Sequence, residues 1–130
     1  MGTCIMSELE LQIAIADYLR LRYPDILFHS DFGSGVHLTV RQAVIQKRQN
    51  GGRRGYPDLF VAEPRGKYHG LYIEIKKDGE KLTKKDGSWR TPHIAEQAKM
   101  LEKLRQAGYK AEFGIGFEGC KKIIDDYLRN

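Results

Sequence analysis

Two short segments of the chain carry charged residues in a pattern that could bind a metal ion and activate water. Pro57 lacks a backbone N–H and has a fixed φ, so it should begin a strand, with Asp58 directly after it. In residues 70–76 apolar and polar side chains alternate, which predicts a strand with Glu74 and Lys76 on one face. Turn residues between the two segments predict a hairpin, which brings Asp58 and Glu74 close together.

Two carboxylates held this close would repel each other unless a positive charge lay between them. A divalent metal ion with oxygen ligands is the usual solution. A lysine two residues along the strand could then stabilise a developing oxyanion or position a water molecule. Asp58, Glu74 and Lys76 together therefore predict a hydrolytic metal site.

The pattern of Pro57 and Asp58, followed after a spacer by Glu74, Ile75 and Lys76, resembles the PD-(D/E)XK signature of metal-dependent nucleases. The surrounding sequence resembles the VRR-NUC branch of that superfamily, in its stand-alone virus or prophage type. The residues that carry this closer resemblance are the segment 55–59, Gln97 on a later helix, and Glu8 and Gln12 on the first helix. The resemblance extends over nearly the whole chain.

The resemblance implies a metal-dependent DNA endonuclease that uses Mg²⁺ or Mn²⁺. The metal ligands would be Asp58, Glu74 and the backbone carbonyl of Ile75, with Glu8 completing the set directly or through water. Glu8 could instead only complement the dipole of its helix, whose first turn favours acidic residues.

The remaining site residues implied by the resemblance support the chemistry. Lys76 would orient the attacking water, and Gln97 and Gln12 would support the metal ligands. Stand-alone members resemble Holliday-junction resolvases, and paired nicks on a four-way junction need two sites related by a twofold axis. We therefore expect a homodimer that cuts branched DNA.

Composition limits the alternatives. The 130 residues are enough for one domain, 1–130, with a real core, and 41% of them are hydrophobic, too many for a disordered chain. The net charge of +5 favours a polyanionic partner. No membrane span or signal sequence is visible, and Cys4 and Cys120 lack metal-binding spacing. We expect a cytoplasmic protein, in a bacterium or a virus-infected host cell.

The first and second helices differ in the residues that they present. Ser7 and Glu10 form a capping box that opens the first helix, which should end near Arg22. Thr39 should cap the second helix, which runs to about Asn50 with its apolar residues facing inward. Those inward residues are Val40, Ala43 and Val44.

The second helix and the loop after it form the densest basic region of the sequence, directly before Asp58. Such a run is often only a solvated face, but beside a metal site it would suit a phosphate backbone. The residues expected to contact DNA are Arg41, Lys47, Arg48, Arg53, Arg54 and Lys77.

The segment 77–90 is a long polar loop that holds the single tryptophan. Lysines interleaved with Trp89 could grip and stack on nucleic acid. Trp89 could equally pin the loop to the body of the protein or to a second subunit.

The third helix begins at Thr91 and Pro92 and ends before Gly108, and Gln97 interrupts its apolar stripe. A buried amide without partners costs about 1–3 kcal/mol, so Gln97 should reach either the metal site or the backbone. The expected stripe is Ile94, Gln97, Ala98, Leu101, Leu104 and Arg105.

A strand over 111–116 and a helix over 118–128 complete the chain. The order of helices and strands predicts an α/β fold, a restriction-endonuclease-like mixed β-sheet flanked by helices. The histidines lack the spacing of zinc ligands, and no P-loop or GxSxG motif occurs. Residues 114–119 match the GxGxxG pattern of dinucleotide-binding proteins, but too little chain follows Gly119 for the rest of that fold. Two alternatives to a junction nuclease stay open: a flap-directed or end-directed nuclease, and a DNA-binding module without activity.

Overall fold

A mixed sheet of four strands, with helices on both faces, forms the centre of the protein. The computed structural model describes residues 6–31, 38–53 and 55–129. The elements in chain order are α1 (Glu8–Arg22), β1 (Phe28–Ser30), α2 (Val40–Gln49), β2 (Leu59–Val61), β3 (Leu71–Lys76), α3 (Pro92–Gln106), β4 (Lys110–Ile115) and α4 (Gly116–Leu128). The predicted α/β class with a mixed, helix-flanked sheet is confirmed.

The strands lie in the order β1-β2-β3-β4. The first three are antiparallel to their neighbours, whereas β3 and β4 are parallel. Parallel neighbours need a crossover, which α3 provides. Consequently β3 and β4 begin at one edge of the sheet and end together at the opposite edge.

The two faces of β3 carry different kinds of residue because its side chains alternate between them. Leu71, Ile73 and Ile75 are fully buried in the main core, which α1 and α4 cover. Glu74 and Lys76 point to the other face, which α3 covers. The face that stabilises the fold is therefore separate from the face that carries charged residues.

Local sequence signals define the helices that cover the sheet. Ser7 and Glu10 form both hydrogen bonds of the predicted capping box, and α1 buries Leu11, Gln12, Ile15 and Leu19. Thr91 caps α3, with Pro92 in the first turn. The stripe predicted for α3 needs two corrections, because Met100 is buried and Arg105 is exposed. Arg105 instead extends its guanidinium to Glu102, 3.2 Å away.

The inward orientation predicted for α2 is wrong. The helix has the predicted Thr39 cap, completed by Gln42, but none of its residues is buried. Val40 is 84% exposed, Val44 is 54% exposed, and Ala43 is exposed as well. A capping box needs only local hydrogen bonds, so the helix forms although no other described element buries it.

The segment 77–90 is folded back on itself. Thr83 and Trp89 form an isolated β-bridge, and Lys84 N–H donates to the Ser88 carbonyl at 2.8 Å. The Trp89 ring lies 5.8 Å from the ring of Phe113 on β4. This contact holds the segment against the sheet, the second of the two roles considered for Trp89, while 42% of the residue is exposed.

In the part of the chain that the structure describes, none of the helices has the length and apolar character needed to cross a membrane.

The packing of β4 against α4 gives a stability prediction with a matched control. A methyl group on Gly114 would lie 2.5 Å from the Cys120 sulfur and 2.8 Å from an Ile73 methyl carbon, so Gly114→Ala should lower the free energy of unfolding by about 1–3 kcal/mol. Gly119 on α4 has open space, and Gly119→Ala should raise it by about 0.5–1 kcal/mol. Urea denaturation measures both, and equal effects of the two changes would contradict the packing described.

Candidate active site

Asp58, Glu74 and Lys76 lie together where β3 ends and β2 begins. The antiparallel register pairs Leu59 with Ile73, which sets Asp58 beside Glu74. All three charged residues are buried: Asp58 is 5% exposed, Glu74 is 2% exposed and Lys76 is 5% exposed. Burial of charged groups at this density is costly unless they are paired or bind an ion.

Pro57 ends the ladder between β2 and β3 at this point. Continuing the register by two residues sets Ile75 opposite Pro57, which has no N–H to donate. The Ile75 N–H instead donates to Asp58 Oδ2 at 2.9 Å. The carbonyl of Ile75 faces the same side as its N–H and has no ladder donor there. The sequence resemblance implied this carbonyl as a metal ligand, and that role stays a prediction.

Gln97 on α3 connects the acidic and basic members of the site. Its Nε2 donates to Glu74 Oε1 at 2.8 Å, and its Oε1 accepts from Lys76 Nζ at 2.7 Å. The amide is 2% exposed and contacts these side chains rather than the backbone. Both ends of the amide are used, so Gln97 fixes the distance between the carboxylate and the ammonium group.

The segment before Asp58 packs closely on α3 at the same level. Gly55 has φ +80°, and a Cβ at this position would lie 3.3 Å from the Glu96 carbonyl and 3.5 Å from Gln97 Cα. Only glycine combines this backbone conformation with so close an approach. The contact sets the segment carrying Asp58 against the turn of α3 that carries Gln97.

Two residues at the site were missed in the sequence. His93 Nε2 lies 3.3 Å from Gln97 Nε2, and Glu80 Oε2 lies 3.7 Å from Lys76 Nζ. An amide nitrogen only donates, so the His93 Nε2 that faces it accepts and the ring proton belongs on Nδ1. For His93 a usable signal was spacing, because it precedes Gln97 by four residues on one helix. Glu80 lies beyond the turn that follows β3, where no such periodicity holds.

The electrostatics of Glu74 test whether a cation fits this site. Its Oε2 atom is buried with no hydrogen-bond partner. Burial, the adjacent Asp58 carboxyl and the more distant Glu8 raise the pKa of Glu74 well above its ordinary value, and Lys76 opposes the rise. An unpartnered carboxylate oxygen beside a second carboxylate fits a cation with oxygen ligands.

Glu8 and Gln12 lie on α1 and relate differently to this centre. Glu8 is half-buried, and its charge acts on Glu74. Gln12 makes no hydrogen bond to the other predicted site residues in the described structure, and it lines a cavity of about 210 Å³ with Ser30 and Asp31. Its supporting role stays a prediction.

A complete metal-binding group would bring together at least three side chains of His, Cys, Asp or Glu. No such group occurs within residues 6–31, 38–53 and 55–129. Asp58 and Glu74 contribute two adjacent carboxyl groups, one fewer than such a group needs. The Ile75 carbonyl offers a third oxygen beside this pair, from the main chain.

The residues expected to contact DNA are exposed where the structure describes them. Arg54 lies outside the described residues. Residues 32–57 contain five Lys or Arg and no Asp or Glu. The net charge of this segment therefore equals the net charge of the whole chain, +5. The positive excess is thus confined to the segment that leads into Asp58. The exposed residues are Arg41, Lys47, Arg48, Arg53 and Lys77.

Solved structures similar to this chain include two VRR_NUC domains. One, described as "VRR_NUC domain protein", is 26% identical in sequence, has a TM-score of 0.67, and is matched over 99% of this chain and 92% of its own. The other, described as "VRR_NUC domain", is 25% identical with a TM-score of 0.48, over 89% of this chain and 96% of its own. No protein-family profile matches the sequence. No curated protein matches it either.

The raised pKa of Glu74 predicts a pH dependence of stability. Without metal, Glu74 of the native protein keeps a proton that the same group in the unfolded chain releases above its ordinary pKa of 4.5. The free energy of unfolding therefore falls as the pH rises from 4.5 toward the raised pKa of the native protein. The loss is up to about 1.4 kcal/mol per pH unit. Glu74→Gln should remove this slope and be the more stable protein at about pH 8. Urea denaturation in EDTA at about pH 5 and pH 8 measures the free energy of unfolding at each pH. An equal change between the two pH values for wild type and variant would contradict the geometry.

Proposed function

The chain has the fold of the VRR-NUC domain proteins, and from that premise we propose that it is a divalent-metal-dependent endonuclease that hydrolyses phosphodiester bonds in DNA. A nuclease-like fold alone does not specify chemistry, since one fold hosts many functions. The observation that carries the proposal is the buried, unpartnered Glu74 Oε2 beside Asp58. A hydrolase acting on a polyanion can use such a carboxylate pair to hold its metal ion.

Mg²⁺ or Mn²⁺ would be held by Asp58, Glu74 and the carbonyl of Ile75, with Glu8 contributing directly or through water. All of these donors are oxygens, which suits both ions. When bound, the ion lowers the pKa of a coordinated water and offsets negative charge on the phosphate in the transition state.

Lys76 is the positive group that the chain itself supplies to the reaction. Gln97 holds its ammonium group at 2.7 Å and Glu80 lies 3.7 Å from it, so the charge has a fixed position in a buried place. There it orients the attacking water and stabilises charge that develops on phosphate oxygens. Gln97 positions Lys76 and Glu74 together, and Gln12 would support the metal ligands from α1.

DNA would approach along the basic segment that precedes Asp58. Lys47 and Arg48 in the last turn of α2, Arg41 on the same helix, and Arg53 in the following loop are exposed and have no acidic neighbour in sequence. In sequence, Arg54 precedes Asp58 by four residues and Lys77 directly follows Lys76, and both complete this set. Contacts of this kind hold the phosphate backbone and do not read sequence.

The proposed substrate is branched DNA, cut in the manner of a Holliday-junction resolvase, and the proposed active form is a homodimer. Two cuts related by symmetry need two copies of this site. Two helices each expose a pair of apolar residues one turn apart, and these pairs support contact with a second copy of the chain. Leu9 is 48% and Ile13 54% exposed on α1, and Val40 is 84% and Val44 54% exposed on α2.

The activity is tested with labelled junction, flap, duplex and single-stranded DNA in Mg²⁺ or Mn²⁺. Wild type should cut the junction with paired nicks, and Glu74→Gln should lower the cleavage rate at least about 100-fold because a metal-holding carboxylate is lost. Junction binding, measured by fluorescence anisotropy, should stay within a few fold.

The matched control for that experiment is Glu118→Gln, the same chemical change at an exposed position on α4. It should cut at the wild-type rate. Cleavage by Glu74→Gln at the rate of this control would contradict the proposed role of the carboxylate pair. Cleavage of flaps in preference to junctions would replace the resolvase with a flap-directed nuclease.

The homodimer is tested by placing charge on the exposed apolar stripe of α2. Light scattering at about 10 µM should give twice the chain mass for wild type and a single chain mass for the double variant Val40→Glu/Val44→Glu. Because α2 has no buried residue, the variant should keep its helical circular dichroism. A wild-type protein of single chain mass would contradict the homodimer.

A further inference from the structure

A cavity of about 460 Å³ opens at the edge of the sheet where β3 and β4 begin, which is the edge opposite Asp58 and Glu74. Its walls come from the β2–β3 connection, the end of α3 and the first residues of β4. The lining residues that bear charges or rings are Lys67, Tyr68, Arg105, Tyr109, Lys110 and Glu112. None of them has a part in the proposed catalytic centre.

The cavity has an excess of positive charge, with three cations against the single carboxylate of Glu112. Lys110 lies 3.6 Å from Glu112, and Arg105 lies 3.2 Å from Glu102. Lys67 has no ion pair within the described residues. Both lysine ammonium groups nevertheless gather around one ring, at 5.5 Å and 5.6 Å from the centre of Tyr68.

This excess is local and is not a consequence of a basic protein surface. Outside residues 32–57 the chain has 17 Lys or Arg, and these equal its 17 Asp or Glu. Arg105 and Lys110 each have a carboxylate partner, so Lys67 supplies the excess positive charge. A concave site with such an excess, on an otherwise neutral background, selects an anionic ligand. Tyr68 and Lys110 also line a second cavity of about 240 Å³, so the two cavities share these residues.

The register of the sheet gives the separation of this cavity and the catalytic centre along the direction of β3. Lys110 pairs with Leu71 at the beginning of β3, and Lys76 is five residues further along the same strand. Five residues of β-strand span about 17 Å. Successive nucleotides in one strand of a duplex are about 3.4 Å apart, so the interval corresponds to about five nucleotides.

We propose that this cavity is a second nucleotide-binding site, which takes a phosphate on Lys67, Lys110 and Arg105 and a base or sugar against Tyr68. Lysine binds phosphate as a point charge, whereas arginine can donate two parallel hydrogen bonds. An aromatic ring stacks on any base, which an acidic peptide would not use. Resting on the proposed function, the ligand is a nucleotide of the DNA substrate about five positions from the bond that is cut.

The site is tested by titrating deoxyadenosine 5′-monophosphate into ¹⁵N-labelled protein in EDTA, with deoxyadenosine and inorganic phosphate as separate probes. The backbone amides of Gly108 and Ala111, which line the cavity, should shift most with the nucleotide, less with phosphate and least with the nucleoside. Lys67→Ala should lose at least half of the nucleotide-induced shift. Lys103→Ala, which removes an exposed lysine of α3 outside the cavity, should keep it. Shifts that miss Gly108 and Ala111, or that are equal in the two variants, would overturn the proposal.

A second measurement separates a DNA contact from binding of a free nucleotide. For a 20-base-pair duplex, Lys67→Ala should reduce the slope of log affinity against log salt by about one, the effect of one lost phosphate contact, and Lys103→Ala should leave it unchanged. A nucleotide response with an unchanged slope would show a site for free nucleotides and overturn the DNA contact. Both measurements are made without cleavage. A protein that binds the nucleotide in this cavity but does not cut DNA would therefore contradict only the proposed nuclease activity.

Discussion

The mutual repulsion of two buried carboxyl groups is the constraint on which the rest of this structure depends. Asp58 and Glu74 lie side by side where water is largely excluded, and one oxygen of Glu74 has no partner. Such a pair is unfavourable in an isolated domain and becomes favourable when a cation lies between its members. Hydrogen bonds from Gln97 and from the Ile75 N–H hold the two groups in place, and without metal the proton that Glu74 keeps relieves their repulsion.

The fold can hold this unfavourable pair because the two faces of the sheet are used differently. Leu71, Ile73 and Ile75 supply the fully buried apolar surface on which α1 and α4 pack. The opposite face of the same strand carries the charged residues under α3. Because β3 and β4 are parallel and α3 runs back between them, the beginning of α3 comes to the catalytic edge and its end to the basic cavity. One crossover thereby positions two sites about one strand length apart.

Sequence reasoning identified what depends on local signals and on strong periodicity. The Ser7 capping box, the proline that begins α3 and the alternation in β3 all act over a few residues, and the structure has all three. The hairpin then brought Asp58 to Glu74 because an antiparallel turn leaves little freedom of register. The fold class followed from the order of these elements.

What the sequence did not predict depends on contacts between distant residues or on the lack of them. The apolar residues of α2 look like a buried stripe, but only tertiary packing decides whether such a stripe is covered, and α2 is exposed. His93 reaches the site by its spacing on α3, which is visible only once Gln97 is known to be buried, and Glu80 reaches Lys76 from beyond the turn that follows β3. The cavity beside Tyr68 joins three segments that are far apart in sequence.

The central claim is that Asp58 and Glu74 form a cation site, and direct binding of Mn²⁺ tests it most simply. Isothermal titration calorimetry of Mn²⁺ into the metal-free protein, in the absence of DNA, should show at least one ion bound per chain, with binding weakened at least tenfold when Asp58 is replaced by asparagine. Protein that takes up no Mn²⁺, or an Asp58→Asn variant that binds it as tightly as the wild type, would contradict the account.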